Sequence, residues 1–254
     1  MKSNLLSLLL LLAPLSAQDT AAKEKPFPFA AERSLKIVCL SADSGISTVW
    51  LRTLAKVEGR DEPAITPVST SVPFSMRSDP LPYVGPAKIE FFETEPPAGP
   101  VFDDEGNRLG PLPFATANLP SGKRELLLLF VPLSVDQQKY GLKYRLLPFD
   151  DSLDSVPWGS YRFINFTNRS FVAYAGSKSQ RFELNPNRLS ATIAPGGAKR
   201  NLQWLIYGNA SGAEELVFSS QWLHRPDYRS LIFVTESTNQ RGAINVKGID
   251  QWKD

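Results

Sequence analysis

The run Trp222-Leu223-His224-Arg225-Pro226-Asp227-Tyr228-Arg229 gathers more chemistry-bearing side chains than any other stretch of this chain. Imidazole titrates near neutral pH, so His224 could act as a general base, with Asp227 three residues on to orient it. The same residues also describe a loop between two strands. Pro226-Asp227 would set the turn, Trp222 would pack, and Arg225 or Arg229 would pair with an acid. A hydrolase would further need a placed nucleophile and oxyanion donors. No Gly-x-Ser-x-Gly elbow is present. The turn is therefore the expectation, and the chain is expected not to be an enzyme.

Other chemistries find less support. Zinc takes mainly Cys and His ligands, and Cys39 and His224 are the chain's single examples of each. The acidic runs Asp103-Asp104-Glu105-Gly106-Asn107 and Asp150-Asp151-Ser152-Leu153-Asp154 lack the ligand spacing of a calcium loop and read as turns. Pro195-Gly196-Gly197-Ala198 is a turn and not a phosphate cradle. The expectation is no metal and no cofactor. A carboxylate pair acting on glycosides stays open, because separations in space are invisible in sequence.

Aromatic side chains offer binding chemistry. Trp204 alternates with Leu202 and Ile206 and reads as core. Trp158, in Pro157-Trp158-Gly159, reads as a turn residue and as the better candidate for exposed stacking on a sugar ring. Trp158, Trp222, His224 and Asp227 are thus the candidate binding residues. Asn165-Phe166-Thr167, Asn168-Arg169-Ser170 and Asn209-Ala210-Ser211 match the N-glycosylation triplet, which matters only in a eukaryotic host.

The elements that would position these residues are strands. The chain of 254 residues carries 21 prolines, and short β-branched and aromatic runs alternate with Pro, Gly, Asp, Asn and Ser. Strands are expected at 35–40, 48–53, 88–92, 125–131, 142–147, 161–166, 171–175, 180–184, 190–194, 202–207, 215–219, 230–235 and 243–246. Tyr161 and Phe163 should share a face by the period of two. Leu126 to Phe130 is apolar on every side and reads as a central strand covered on both faces, with a short buried helix as the alternative that pattern alone leaves open. Residues 52–57 weakly resemble a helix but are too few to form one. The proline-rich stretch 60–120 should hold ordered loops or edge strands. Cys39, inside Ile37-Val38-Cys39-Leu40, reads as a buried small hydrophobe.

The first residues set the compartment. Lys2, an apolar run from Leu5 to Leu12, Pro14 and Leu15-Ser16-Ala17 form a secretory signal, with cleavage expected after Ala17. The run is too short to span a bilayer, and no second one follows, so no integral membrane segment is expected in the mature chain. With 28 Lys plus Arg against 26 Asp plus Glu, no basic excess favours nucleic acid. The expected organisation is a signal peptide (1–17), a flexible arm (18–33), and two β-sandwich-like domains (34–135 and 141–254). The fold class is all-β, antiparallel, Ig-like or transthyretin-like. The run 35–44 and the run 161–170 each read as a strand entering a small polar loop, a weak internal correspondence.

Tyr161 to Tyr174 resembles a loose class of bacterial exported β-sandwich proteins of unknown function, and Ser219-Ser220-Gln221-Trp222-Leu223-His224-Arg225-Pro226-Asp227-Tyr228-Arg229-Ser230-Leu231-Ile232-Phe233-Val234 resembles a terminal module of such proteins. The resemblance covers mainly the second half and implies no activity. The expected role is that of a secreted or periplasmic binding or envelope-assembly component with a protein or glycan partner. A carbohydrate-binding module is the alternative, and a hydrolase centred on His224 or a carboxylate pair ranks below it.

Overall fold

Two kinds of strand follow from the apolar pattern, those buried on one face and those buried on both. The computed structural model describes residues 31–40, 46–55, 63–74, 76–98, 103–176, 180–210, 213–237 and 242–253. The expected signal peptide lies outside these residues, as does most of the expected arm. The first strand, β1 (Ala31–Cys39), takes in the last three residues of that expected arm.

Among the described residues all regular structure is β apart from one turn of 3-10 helix at Val135–Gln137. Among the described residues no helix is long and apolar enough to cross a membrane. The first sheet runs β4 (Leu81–Gly85), β1, β7 (Glu125–Pro132), β8 (Tyr144–Asp150), β6 (Ala115–Asn118), β5 (Lys88–Phe91). A two-stranded sheet of β2 (Thr48–Ala55) and β3 (Ala64–Ser71) lies over one face of it. In the second half, a three-stranded sheet runs β15 (Ile244–Trp252), β14 (Tyr228–Glu236), β9 (Tyr161–Asn165). A four-stranded sheet runs β11 (Gln180–Leu184), β10 (Phe171–Ala175), β12 (Arg200–Ala210), β13 (Ala213–His224).

Side-chain alternation turns these sheets into a stack. Leu126, Leu128 and Phe130 of β7 join Leu35, Ile37 and Cys39 of β1 in a core shared with Val49 and Leu51 of β2. Tyr161 and Phe163 share a second core with Ile232, Val234, Trp204 and Phe182. The opposite faces meet in a third layer: Val38, Leu127 and Leu129 from the first half against Ile164, Leu231, Phe233 and Ile249 from the second. The chain is thus four β-layers deep, and β7 and β14 sit in the middle two. This explains their unbroken apolar runs, because both parities of the strand are buried.

The sheets are mixed, which corrects the expected antiparallel order. β1 runs parallel to β7, β6 to β8 and β9 to β14. Parallel neighbours need long crossovers, and the loop-rich stretches of this chain supply them. The segment expected to open the second half, β8, pairs with β7 and closes the first sheet instead. The passage between halves falls at 151–160. Residues 48–55 are strand, not helix. Proline-tolerant edges account for β3, with Pro67, and β4, with Pro82. The expected strand at 190–194 is instead an irregular run tied to β9 by single bridges at Leu189 and Ile193.

Leu129 sits wholly buried in the layer common to both halves. Leu129→Ala should cost about 2–5 kcal/mol in urea unfolding. Fluorescence and circular dichroism should still report one coincident transition; two separated transitions would show that the halves do not share this layer energetically.

Candidate functional site

His224 ends β13 and faces inward, with 1 % of its surface exposed. Its Nδ1 lies 3.0 Å from the Tyr161 hydroxyl, which lies 2.6 Å from the Tyr228 hydroxyl. Tyr228 donates its one proton to the Leu223 carbonyl at 3.0 Å. Tyr161 must then donate to Tyr228, so His224 donates from Nδ1 to Tyr161. The imidazole is held as the Nδ1–H tautomer, and its Nε2 is buried without a hydrogen-bond partner. Burial and the Arg200 charge lower the His224 pKa, opposed by the nearby Gly196 and Gly197 backbone.

Asp227 does not reach this ring. Its carboxylate accepts Nε of Arg225 at 2.8 Å, and the Arg225 guanidinium lies 4.8 Å from the Trp252 ring centre. The expected turn is therefore built as an Arg225–Asp227 clamp, and the His224–Asp227 dyad is not formed. Strand parity is the reason: His224 is the last inward residue of β13, whereas Asp227 lies in the turn beyond it. Trp222 is half-buried, 5.2 Å from Trp204 and stacked 6.5 Å from Phe163. It extends the second core.

Trp158 is half-buried as well, and its ring lies 5.2 Å from the Arg229 guanidinium. Arg229 leads to the most highly charged buried group in the described structure. Asp151, 3 % exposed, accepts Arg77 at 3.1 Å, Arg229 at 3.1 Å and Lys36 at 3.3 Å. Gln251 Oε1 accepts from Lys36 at 3.3 Å and from Arg229 at 2.8 Å. Arg229 also donates to the Val156 carbonyl at 2.9 Å, and Arg77 to the Ile249 carbonyl at 2.9 Å. Burial pulls the Arg229 pKa down, and Asp151 opposes it.

The cluster follows from register. Lys36 is two residues from Val38, Arg229 two from Leu231, and Gln251 two from Ile249. The apolar layer between the halves therefore ends in a polar plug made by the same strand faces. The sequence singled out 150–154 only as a turn, and Asp150 does cap it, accepting Ser152 Oγ at 2.7 Å. The missed signal was the Asp150-Asp151 doublet: adjacent residues leaving a strand face opposite ways, so one carboxylate turns inward.

The other acidic run is a turn. Asp103 Oδ1 accepts the amides of Glu105 at 3.0 Å and Asn107 at 2.7 Å, and Gly106 takes a positive φ of 84°. Asn165 is fully buried and donates to the carbonyls of Arg169 and Leu184 while accepting Thr167 Oγ1 at 2.8 Å. That triplet builds its loop from within and offers no glycosylation acceptor. Cys39 is buried in the first core, as its neighbours implied.

The outer sheet carries a cleft of about 410 Å³ beside Gln180, Gln203 and Gln221. At one end of the same sheet lies β13, twelve residues long. No protein-family model matches this chain, and no curated protein is similar to it in sequence.

Two outcomes test the site's wiring. Asp151→Ala should destabilise the fold by about 3–5 kcal/mol, because three buried cations lose their one carboxylate; a loss within about 0.5 kcal/mol would place that carboxylate in solvent. His224 has a folded pKa below its ordinary 6.5. The unfolded state then binds the proton more readily, so this residue's contribution is present above the ordinary value and lost as pH falls through the folded one. The stability difference between wild type and His224→Gln should narrow as pH drops below about 6.5, and a constant difference would show the ring titrating normally.

Proposed function

We propose that this protein is an exported, non-catalytic scaffold, secreted or periplasmic, that binds a partner chain by adding the partner's strand to β13. In this reading each half is a β-sandwich-like domain of Ig-like or transthyretin-like kind, and the pair forms an envelope or assembly component. The resemblance of the second half to exported bacterial β-sandwich proteins agrees with it.

The observation that carries the reading is the state of the sheet ends. A sheet edge presents unpaired N–H and C=O groups, and proteins guard them with proline, charge, brevity or cover. Here β3 holds Pro67, β4 holds Pro82, β5 has four residues, β15 carries Lys247 and Asp250, and β11 has five residues with Arg181 and Glu183. The outer side of β2 bridges Phe92, and that of β9 bridges Leu189 and Ile193. β13 has no proline, lysine or arginine along its length, and its charges are Glu214 and Glu215 near one tip. A bulge leaves Val217 without a cross-strand partner, but Phe218 to His224 pair regularly with β12. That stretch offers a straight, half-buried template of the kind strand addition uses.

The use of His224 within a tyrosine chain and of Asp227 in an arginine clamp supports the non-catalytic part of the reading. Extended peptides selected from a displayed random library against the purified mature chain should slow amide exchange within β13. Ser219→Lys, which places an edge charge on an exposed position, should weaken them roughly tenfold. Peptides that bind without protecting β13, or that ignore Ser219→Lys, would overturn the reading.

A further inference from the structure

We infer that the cleft at the Gly176 end of the four-stranded sheet binds a neutral oligosaccharide. This goes beyond strand addition and rests on different side chains. The cleft, of about 410 Å³, is lined by Gln180, Asn201, Gln203, Gln221, Arg200 and Pro195, together with Ala175, Gly176 and Leu202. Its volume lies in the range of small-molecule sites, about 300–1,000 Å³. Its wall is unlike theirs, however, being dominated by primary amides and not by apolar groups.

Position in the sheet explains the arrangement. Gln203 and Gln221 are directly opposite on β12 and β13, and their parity faces away from the second core. Gly176 follows β10 and donates its amide to the Gln203 carbonyl at 2.8 Å. Among the described residues the four amide side chains make no hydrogen bond; Asn201, Gln203 and Gln221 share the outer face, and Gln180, opposite Ala175, stands on the core side at the sheet's end. Each can donate and accept at once, which suits adjacent hydroxyls that do both.

Charge selects against an anion. Among the described residues no carboxylate lines the cleft and Arg200 is its one cation. Arg200 donates from its terminal nitrogens to the carbonyls of Pro195 and Gly196, and lies 3.4 Å from that of Ala198. Three of its five N–H groups are thereby committed to backbone carbonyls, which weakens its capture of a carboxylate or phosphate. An aromatic surface adjoins the amides on the same face. Tyr174, two residues before Gly176, packs edge-on against Tyr207 with ring centres 5.7 Å apart. Both rings are half-buried, and such amphipathic rings offer an apolar surface beside the polar groups. The sugar-stacking role expected of Trp158 is assigned to this face instead, because Trp158 is engaged by Arg229.

Maltohexaose, cellohexaose and chitohexaose, titrated separately into isotope-labelled mature protein, provide the test. At least one should shift the side-chain amide resonances of Gln203, Gln221, Gln180 and Asn201 in NMR spectra, with a millimolar or tighter dissociation constant. The double variant Asn201→Ala, Gln203→Ala should weaken it at least tenfold. Both positions lie on β12 and leave the β13 edge intact, so peptide protection of β13 should persist in that variant. Failure of all three probes to move these resonances would overturn the inference, as would binding that survives the double variant. A polygalacturonate oligomer binding more than tenfold tighter than the neutral probes would overturn the neutral assignment.

Discussion

Everything in this fold depends on a layer that neither half could bury alone. Val38, Leu127 and Leu129 project from the back of one sheet, and Ile164, Leu231, Phe233 and Ile249 from the back of another. Exposed separately, these faces would each be a large apolar patch in water. Pressed together, they convert two thin sandwiches into one four-layer stack. Burial of this kind is non-directional, so it does not fix how one sheet sits on the other. The orientation is supplied by the ionic plug at its margin, where Asp151 receives cations from β1, from the segment after β3 and from β14. A buried carboxylate among three cations tolerates few arrangements, and this one uses a residue from nearly every element around the seam.

Much of this architecture was legible in the chain. The apolar run of Leu126 to Phe130 could only be satisfied by burial on two sides, and the structure supplies both. The alternation at Tyr161 and Phe163 placed them on one core face, and Pro226-Asp227 announced a turn. The failures have physical causes. β3, β4 and β6 are short or interrupted by proline, and tertiary pairing makes them strands where local propensity does not. Parallel pairing joins strands about 30 to 90 residues apart, beyond the reach of any local pattern. The contacts among Lys36, Arg77, Asp151 and Arg229 are likewise invisible to spacing.

The His224 and Asp227 pair shows the opposite error, in which closeness in sequence suggested closeness in space. The backbone reverses direction between them, and strand parity sends the imidazole inward while the carboxylate meets Arg225. What the ring finds inside is a pair of tyrosines whose hydroxyl protons run one way, towards the Leu223 carbonyl. Trp158 sits half-buried in its turn, with the Arg229 guanidinium over its ring.

The parallel pairing of β1 with β7 has a consequence for how the chain comes together. Leu35 lies beside Leu126, and Cys39 beside Phe130. A chain delivered N-terminus first therefore holds its opening strand without its central neighbour until about a hundred further residues have arrived. The second half repeats the situation, with β9 waiting for β14. Each half thus closes with its last central strand, as a box closes with its lid, and a chain truncated before either strand would be left open along its middle.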